Sequence, residues 1–186
     1  MYLQYWRLKE KPFENTPDPK FLYHSPQHEE GLSRLIYVVR EGKGAGMLTG
    51  IYGCGKTLLG HALASELEKD VYRVAFLTNP RLDDIEMLRI IVYLLGASEV
   101  PTRKADLLMA LGQIFDANMR DGKKTVIVVD EAHAIEQASI FEEIRLLLNF
   151  QSHSQFLLTL LILGQPELKN KVEANKQLNA KVDFGE

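Results

Sequence analysis

Gly50-Ile51-Tyr52-Gly53-Cys54-Gly55-Lys56-Thr57 is the stretch on which the reading of this sequence turns. Its spacing is G-x-x-x-x-G-K-[ST]. A loop that wraps a polyphosphate must aim successive backbone N–H groups inward. That demands unusual dihedrals and little side-chain bulk, and glycine supplies both. A helix starting at the end of the loop adds its positive terminus. In this pattern Lys56 reaches the β- and γ-phosphates and Thr57 gives its hydroxyl to Mg2+. The predicted nucleotide-binding set is Gly50, Ile51, Tyr52, Gly53, Cys54, Gly55, Lys56, Thr57 and Leu58. Cys54 fills a free position of the motif and reads as a small filler rather than a redox thiol.

The flanks fit the motif. "AGMLTG" (45–50) enters the loop as a short apolar run, and "TLLGHALASELE" leaves it with helical periodicity. Upstream, "SPQHEEGLSRLIYVVREGKG" reads as a helix capped by Ser25, with Pro26 in its first turn and Leu32, Leu35, Ile36 and Val39 on one face. Downstream, strands are expected at 71–79, 125–133 and 156–165. Helices are expected over "RLDDIEMLRIIVYLLGA", "KADLLMALGQIFDANMRDGK" and "ASIFEEIRLLLNF". The tail from Pro166 to Glu186 reads as polar, opening on a short helix. Continuous apolar strands alternating with helices predict a mainly parallel sheet covered on both faces, a three-layer α/β/α P-loop NTPase.

"TVIVVDEAH" (125–133) supplies the second half of a site. A buried strand ends there on two acids. Asp130 is expected to hold Mg2+ together with Thr57, and Glu131 to polarise the attacking water as general base. With Lys56 and Gln165 it makes up the predicted catalytic group, Gln165 standing at the end of "LLTLLILGQ" within reach of a γ-phosphate or the water. The cofactors implied are ATP and Mg2+. Asn175–Leu178 ("NKQL") lacks the Asp that guanine recognition requires, so GTP is not expected. "DEAH" invites comparison with DEAH-box helicases, which need a second RecA-like domain and an arginine-rich motif. His133 reads instead as a surface residue or one supporting the site from behind.

With 186 residues, 46% of them hydrophobic and 25% charged, the chain suits one α/β domain. A net charge of -3 gives no global pull toward nucleic acid or anionic lipid. Cys54 is the only cysteine, which excludes an internal disulfide and points to a reducing compartment. "FLLTLLILG" is too short for a membrane helix of about 20 residues. No direct membrane segment and a cytoplasmic location are expected. Two divisions are expected. Residues 1–30 form an arm broken by Pro12, Pro17, Pro19 and Pro26, packed on the core through Tyr5, Trp6, Phe13, Phe21 and Tyr23. Residues 31–186 form the core.

The arm "YWRLKEKPFENTPDPKFLYHSPQH", the glycine loop, "VIVVDEAH", "IRLLLNF" and "LILGQPEL" occur in the same order as in the ExeA-type AAA+ ATPases, the general secretion pathway protein A family. The sequence resembles that family over roughly residues 1–178. The resemblance implies an AAA+ core that hydrolyses ATP as a homo-oligomer. It also implies an inner-membrane secretion-assembly protein as partner, in type II secretion. It assigns phosphate and Mg2+ contacts to Lys56 and Thr57, metal-holding and water-activating roles to Asp130 and Glu131, and the first sensor position to Gln165. The arm would lie near the adenine. Lys181 stands where an Arg is expected in the family, and the helical lid that would follow is lacking in this stretch. Two other readings remain open. One is a DNA-associated AAA+ ATPase of the transposition type, although the basic stretches "RKADLL" and "MRDGKK" read as solvated faces. The other is a nucleotide-gated interaction module with little turnover.

Overall fold

The structure is a computed structural model that describes residues 2–11, 18–152 and 155–185, and for 183–185 the backbone alone. The arm positions Pro12, Phe13 and Pro17 lie outside the described residues. The elements are α1 (Tyr2–Tyr5), α2 (Pro26–Arg40), β1 (Ala45–Thr49), α3 (Lys56–Glu66), β2 (Tyr72–Leu77), α4 (Asp84–Leu94), α5 (Lys104–Arg120), β3 (Lys124–Val129), α6 (Ala138–Leu147), β4 (Gln151–Ser152), β5 (Gln155–Phe156), β6 (Leu158–Gly164), α7 (Glu167–Ala174), α8 (Lys176–Asn179) and β7 (Val182–Gly185).

Five strands form one sheet in the order β2-β3-β6-β1-β7. Every neighbouring pair in it is parallel. β4 and β5 make a small antiparallel hairpin before β6. Alternating side chains feed two cores. Val126, Val128, Leu161 and Leu163 pack with α2 and α3 on one face. Ile127, Val129, Leu160 and Ile162 pack with α4 to α8 on the other. The three-layer α/β/α arrangement expected from the apolar strands is the one observed.

Local chemistry sets the boundaries. Ser25 caps α2 by accepting the His28 N–H at 3.2 Å, with Pro26 in the first turn. α4 starts at Asp84 rather than Arg81, because Asp83 and Glu86 close a reciprocal capping box. β3 ends at Val129, short of the predicted 133, since the chain turns at Asp130 and Glu131.

The tail departs most from its reading. It holds two short helices and then β7, which pairs with β1 from Ala45↔Val182 to Leu48↔Gly185. "VDFG" carries too few apolar residues to announce a strand. What orders it is the free ladder on the outer side of β1, an edge that only the assembled sheet creates. The arm touches the core through Leu22, 8% exposed, whereas Tyr5, Trp6 and Tyr23 are 78%, 68% and 80% exposed. Aromatic bulk, the reason for expecting a packed arm, is not what meets the core at these three positions. Among the described residues no helix is long and apolar enough to cross a membrane.

Phe115 on α5 is fully buried and meets Phe150 edge-on at 5.2 Å between ring centroids. Truncation to Ala removes that ring from a core that relaxes only partly, so Phe115→Ala should cost about 3–5 kcal/mol in urea denaturation. On the same helix Met109 is 60% exposed, and Met109→Ala should change stability by less than about 0.5 kcal/mol.

Candidate nucleotide site

β1 delivers the chain at Thr49, and Gly50 N–H still donates to the Gly164 carbonyl at 3.2 Å, so the loop springs from the paired sheet. The loop folds back on itself tightly. A Cβ on Gly50 would sit 2.6 Å from the Cys54 Sγ. Gly55, the residue before α3, has φ +91°, a conformation costly to any side chain. Gly53 has open space where a side chain would stand. Ile51 and Tyr52 face solvent at 71% and 87% exposure. Leu58 lies one turn into α3 and packs against the α2–α3 core. Lys56 is buried, and its Nζ donates back to the Ile51 carbonyl at 2.9 Å, with Cys54 Sγ 3.8 Å away. The ammonium thus crosses the mouth of the loop. Cys54 contributes bulk and a soft contact there, as its filler reading expects.

The acids stand beside it. Thr57 donates its hydroxyl to Asp130 Oδ2 at 2.6 Å, across 73 positions of sequence. Asp130 is 2% exposed, and its Oδ1 accepts the Glu131 N–H at 2.8 Å. Both carboxylate oxygens therefore have donors, which a buried charge requires. A hydroxyl and a carboxylate meeting in this way form a hard-oxygen pair. Mg2+ takes such pairs when phosphate and water complete its shell. Residues Thr57 and Asp130 fit the metal predicted for them.

Glu131 has φ +54°, a left-handed conformation unusual for a non-glycine residue. Such strain, of order 1 kcal/mol or more, persists where neighbours over-determine it. Here Lys171 on α7 donates to the carbonyls of His133 and Ile135 at 2.6 and 2.7 Å and pins the turn. The Glu131 carboxylate is partly exposed and lies 3.6 Å from His133 Nε2.

His133 joins the two halves of the site. Its Nδ1 accepts the Gln165 N–H at 3.3 Å, and its Nε2 lies 2.9 Å from the Gln165 side-chain nitrogen, the direction of that contact following the ring's tautomer. A Cβ on Gly164 would sit 3.1 Å from the His133 backbone nitrogen, so glycine permits this close approach. The structure thus gathers Lys56, Thr57, Asp130, Glu131 and Gln165 at one edge of the sheet. Of the two readings of His133, a surface residue or one supporting the site from behind, its contacts with Gln165 match the second.

Thr57→Ala would strip Asp130 of a donor while leaving the carboxylate buried. An unmade bond to a buried charge costs about 1–3 kcal/mol. Nucleotide-free Thr57→Ala should lose that much in urea denaturation, and Thr57→Ser should recover most of it.

Comparison with known proteins bears on the family and the fold. The AAA domain family matches residues 39–172. General secretion pathway protein A of Aeromonas hydrophila is 36% identical over 173 residues, covering 91% of this chain and 31% of that protein. The chain thus spans about a third of the length of this relative. Among solved structures, the ADP form of the Aeropyrum pernix ORC2 protein superposes with TM-score 0.69 at 19% identity, covering 93% of this chain and 50% of that one. CDC6P from Pyrobaculum aerophilum gives TM-score 0.64 at 20% identity, covering 90% and 48%. Those two likenesses concern the fold. The chain belongs to the AAA domain family of P-loop proteins and is of the ExeA type in sequence.

Proposed function

We propose that this chain binds ATP with Mg2+ and hydrolyses it, as the motor part of an assembly factor for a general secretion complex in the bacterial envelope. The observation that carries the reading is the Thr57–Asp130 contact of 2.6 Å beside a buried Lys56. It supports a metal-and-phosphate site drawn from two separate strand ends. The secretion role draws on the 36% identity to a protein named for that pathway.

The residues divide the work. Backbone N–H groups between Gly50 and Leu58 face the phosphates, helped by the positive end of α3. Lys56 exchanges its Ile51 carbonyl for β- and γ-phosphate oxygens. Thr57 and Asp130 hold Mg2+, which when bound neutralises charge developing on the phosphates. Glu131 accepts the proton of the attacking water, and the strained turn aims its carboxylate. Gln165 reaches toward the γ-phosphate or the water, its amide steadied by His133. Catalysis of this kind rests on positioning and charge neutralisation. Homo-oligomerisation, an inner-membrane assembly protein as partner and action at the cytoplasmic face belong to the same reading. Lys181, where the family resemblance calls for Arg, donates to Asn149 Oδ1 at 3.1 Å within its own chain. Lys lacks the planar fork of Arg, so turnover of this stretch alone should be slow.

Calorimetry with Mg-ATP and phosphate release test the first part. Lys56→Ala should abolish measurable binding. Glu131→Gln should keep the wild-type affinity and lose at least about 100-fold in turnover, as expected for a positioned general base. An unbound wild type, or an active Glu131→Gln, would refute the reading. Nucleotide-dependent sedimentation and crosslinking to the inner-membrane protein test the rest.

A second reading, a DNA-associated AAA ATPase, has one observation in its favour. "MRDGKK" is not isolated in space. Met119, Lys123 and Lys124 join Lys43 and Lys181 around a cavity of about 670 Å3 at the opposite edge of the sheet, with Glu41. If that edge meets DNA, affinity for a duplex should fall steeply with added salt and fall further in Lys123→Glu/Lys124→Glu. Salt-independent or absent retention in a gel-shift assay removes this reading.

A further inference from the structure

His28 lies outside the glycine loop in sequence but against it in space. Its Nε2 is 2.9 Å from the Cys54 carbonyl oxygen, and its Nδ1 is 3.0 Å from the Tyr23 carbonyl oxygen. A Cβ on Gly55 would come within 3.1 Å of the same Nε2. The ring is half-buried. Its backbone is fixed, because His28 N–H is the donor that Ser25 caps at the start of α2. α2 in turn is seated on α3 through Leu32, Leu35 and Leu59. A side chain in the first turn of a helix packed on α3 thus grips the loop from outside.

Peptide planarity gives this grip a consequence. In a trans peptide the C=O and N–H point to opposite sides. The Cys54 carbonyl is drawn outward to His28, so the N–H of the same peptide, on Gly55, is turned inward, toward the space the loop encloses. We propose that His28 is a positioning residue for phosphate binding: its Nε2–H holds the Cys54–Gly55 peptide in the orientation that presents Gly55 N–H to the nucleotide. The inference rests on the nucleotide-binding reading of the loop. The other nitrogen of the same ring faces the carbonyl of Tyr23, just ahead of α2. A neutral imidazole carries one N–H for these two acceptors, so the Tyr23 and Cys54 carbonyls draw on the same donor.

Two measurements separate this role from packing alone. The first is affinity for Mg-ADP by calorimetry in wild type, His28→Ala and His28→Gln. Gln carries an N–H donor at about the position of Nε2, and Ala carries none. His28→Ala should weaken binding about 5-fold, the size of one ordinary hydrogen bond. His28→Gln should stay within about 2-fold of wild type by the same measure. Equal affinity in all three, or an equal loss in both variants, overturns the proposal. Wild-type protein that fails to bind Mg-ADP overturns the nucleotide reading instead. The second needs no nucleotide. Long-range 1H–15N spectra of protein labelled at histidine should show the His28 Nε2 protonated, and a bare Nε2 overturns the proposal even if the loop binds nucleotide normally.

Discussion

A parallel strand can have its C-terminal end only where its parallel neighbours have theirs. β6 lies between β1 and β3, with Thr49 opposite Gly164 and Val129 opposite Ile162. The three exits from these strands, at Gly50, Asp130 and Gln165, therefore fall on one edge. Each exit carries one part of the chemistry: bare backbone, a carboxylate, an amide. The hydrogen bond from Thr57 to Asp130 fastens two of them. Were any of the three strands to run the other way, its polar terminus would leave by the opposite edge and the site would be lost with no residue changed. Ligand sites in open α/β sheets sit outside the carboxyl ends of the strands for this reason.

The face of the sheet under the loop is the smaller of the two. α2 and α3 cover it, and the loop links β1 to α3. The other face is broader and holds α4 to α8. Among its polar ties, Lys104 of α5 donates to Asp84 of α4 at 2.8 Å and to Glu143 of α6 at 2.5 Å. The Lys104 hydrogen bond holds the Asp84 carboxyl below its ordinary range. The contact therefore contributes at neutral pH and fades as acid protonates Asp84. Division of labour follows from this layout. One face supplies bulk burial, and the other carries the helix pair against which the glycine loop rests.

Between the acids and Gln165 the structure builds a short polar chain. Glu131 sits in a strained turn, His133 faces it and binds Gln165 twice, and Lys171 holds the turn by its carbonyls.

Much of this was legible without coordinates. Gly50 to Thr57 spell the loop motif outright, and glycine is the residue that takes φ +91° at Gly55 without strain. Asp130 and Glu131 declare themselves by ending a buried β-branched run, and Gln165 by ending another. What the residues could not state is how partners distant in the chain meet. β7 exists because β1 offers it an open edge. His133 serves the site because Gly164 lets the two turns approach. His28 reaches Cys54 because α2 packs on α3. The sequence by itself determined the chemistry that local backbone and periodicity encode, namely the loop, the strands, the helix caps and the identity of the acids. Tertiary structure alone decided which of those groups share hydrogen bonds, since side-chain reach is a few ångströms and the separations in sequence run to dozens of residues.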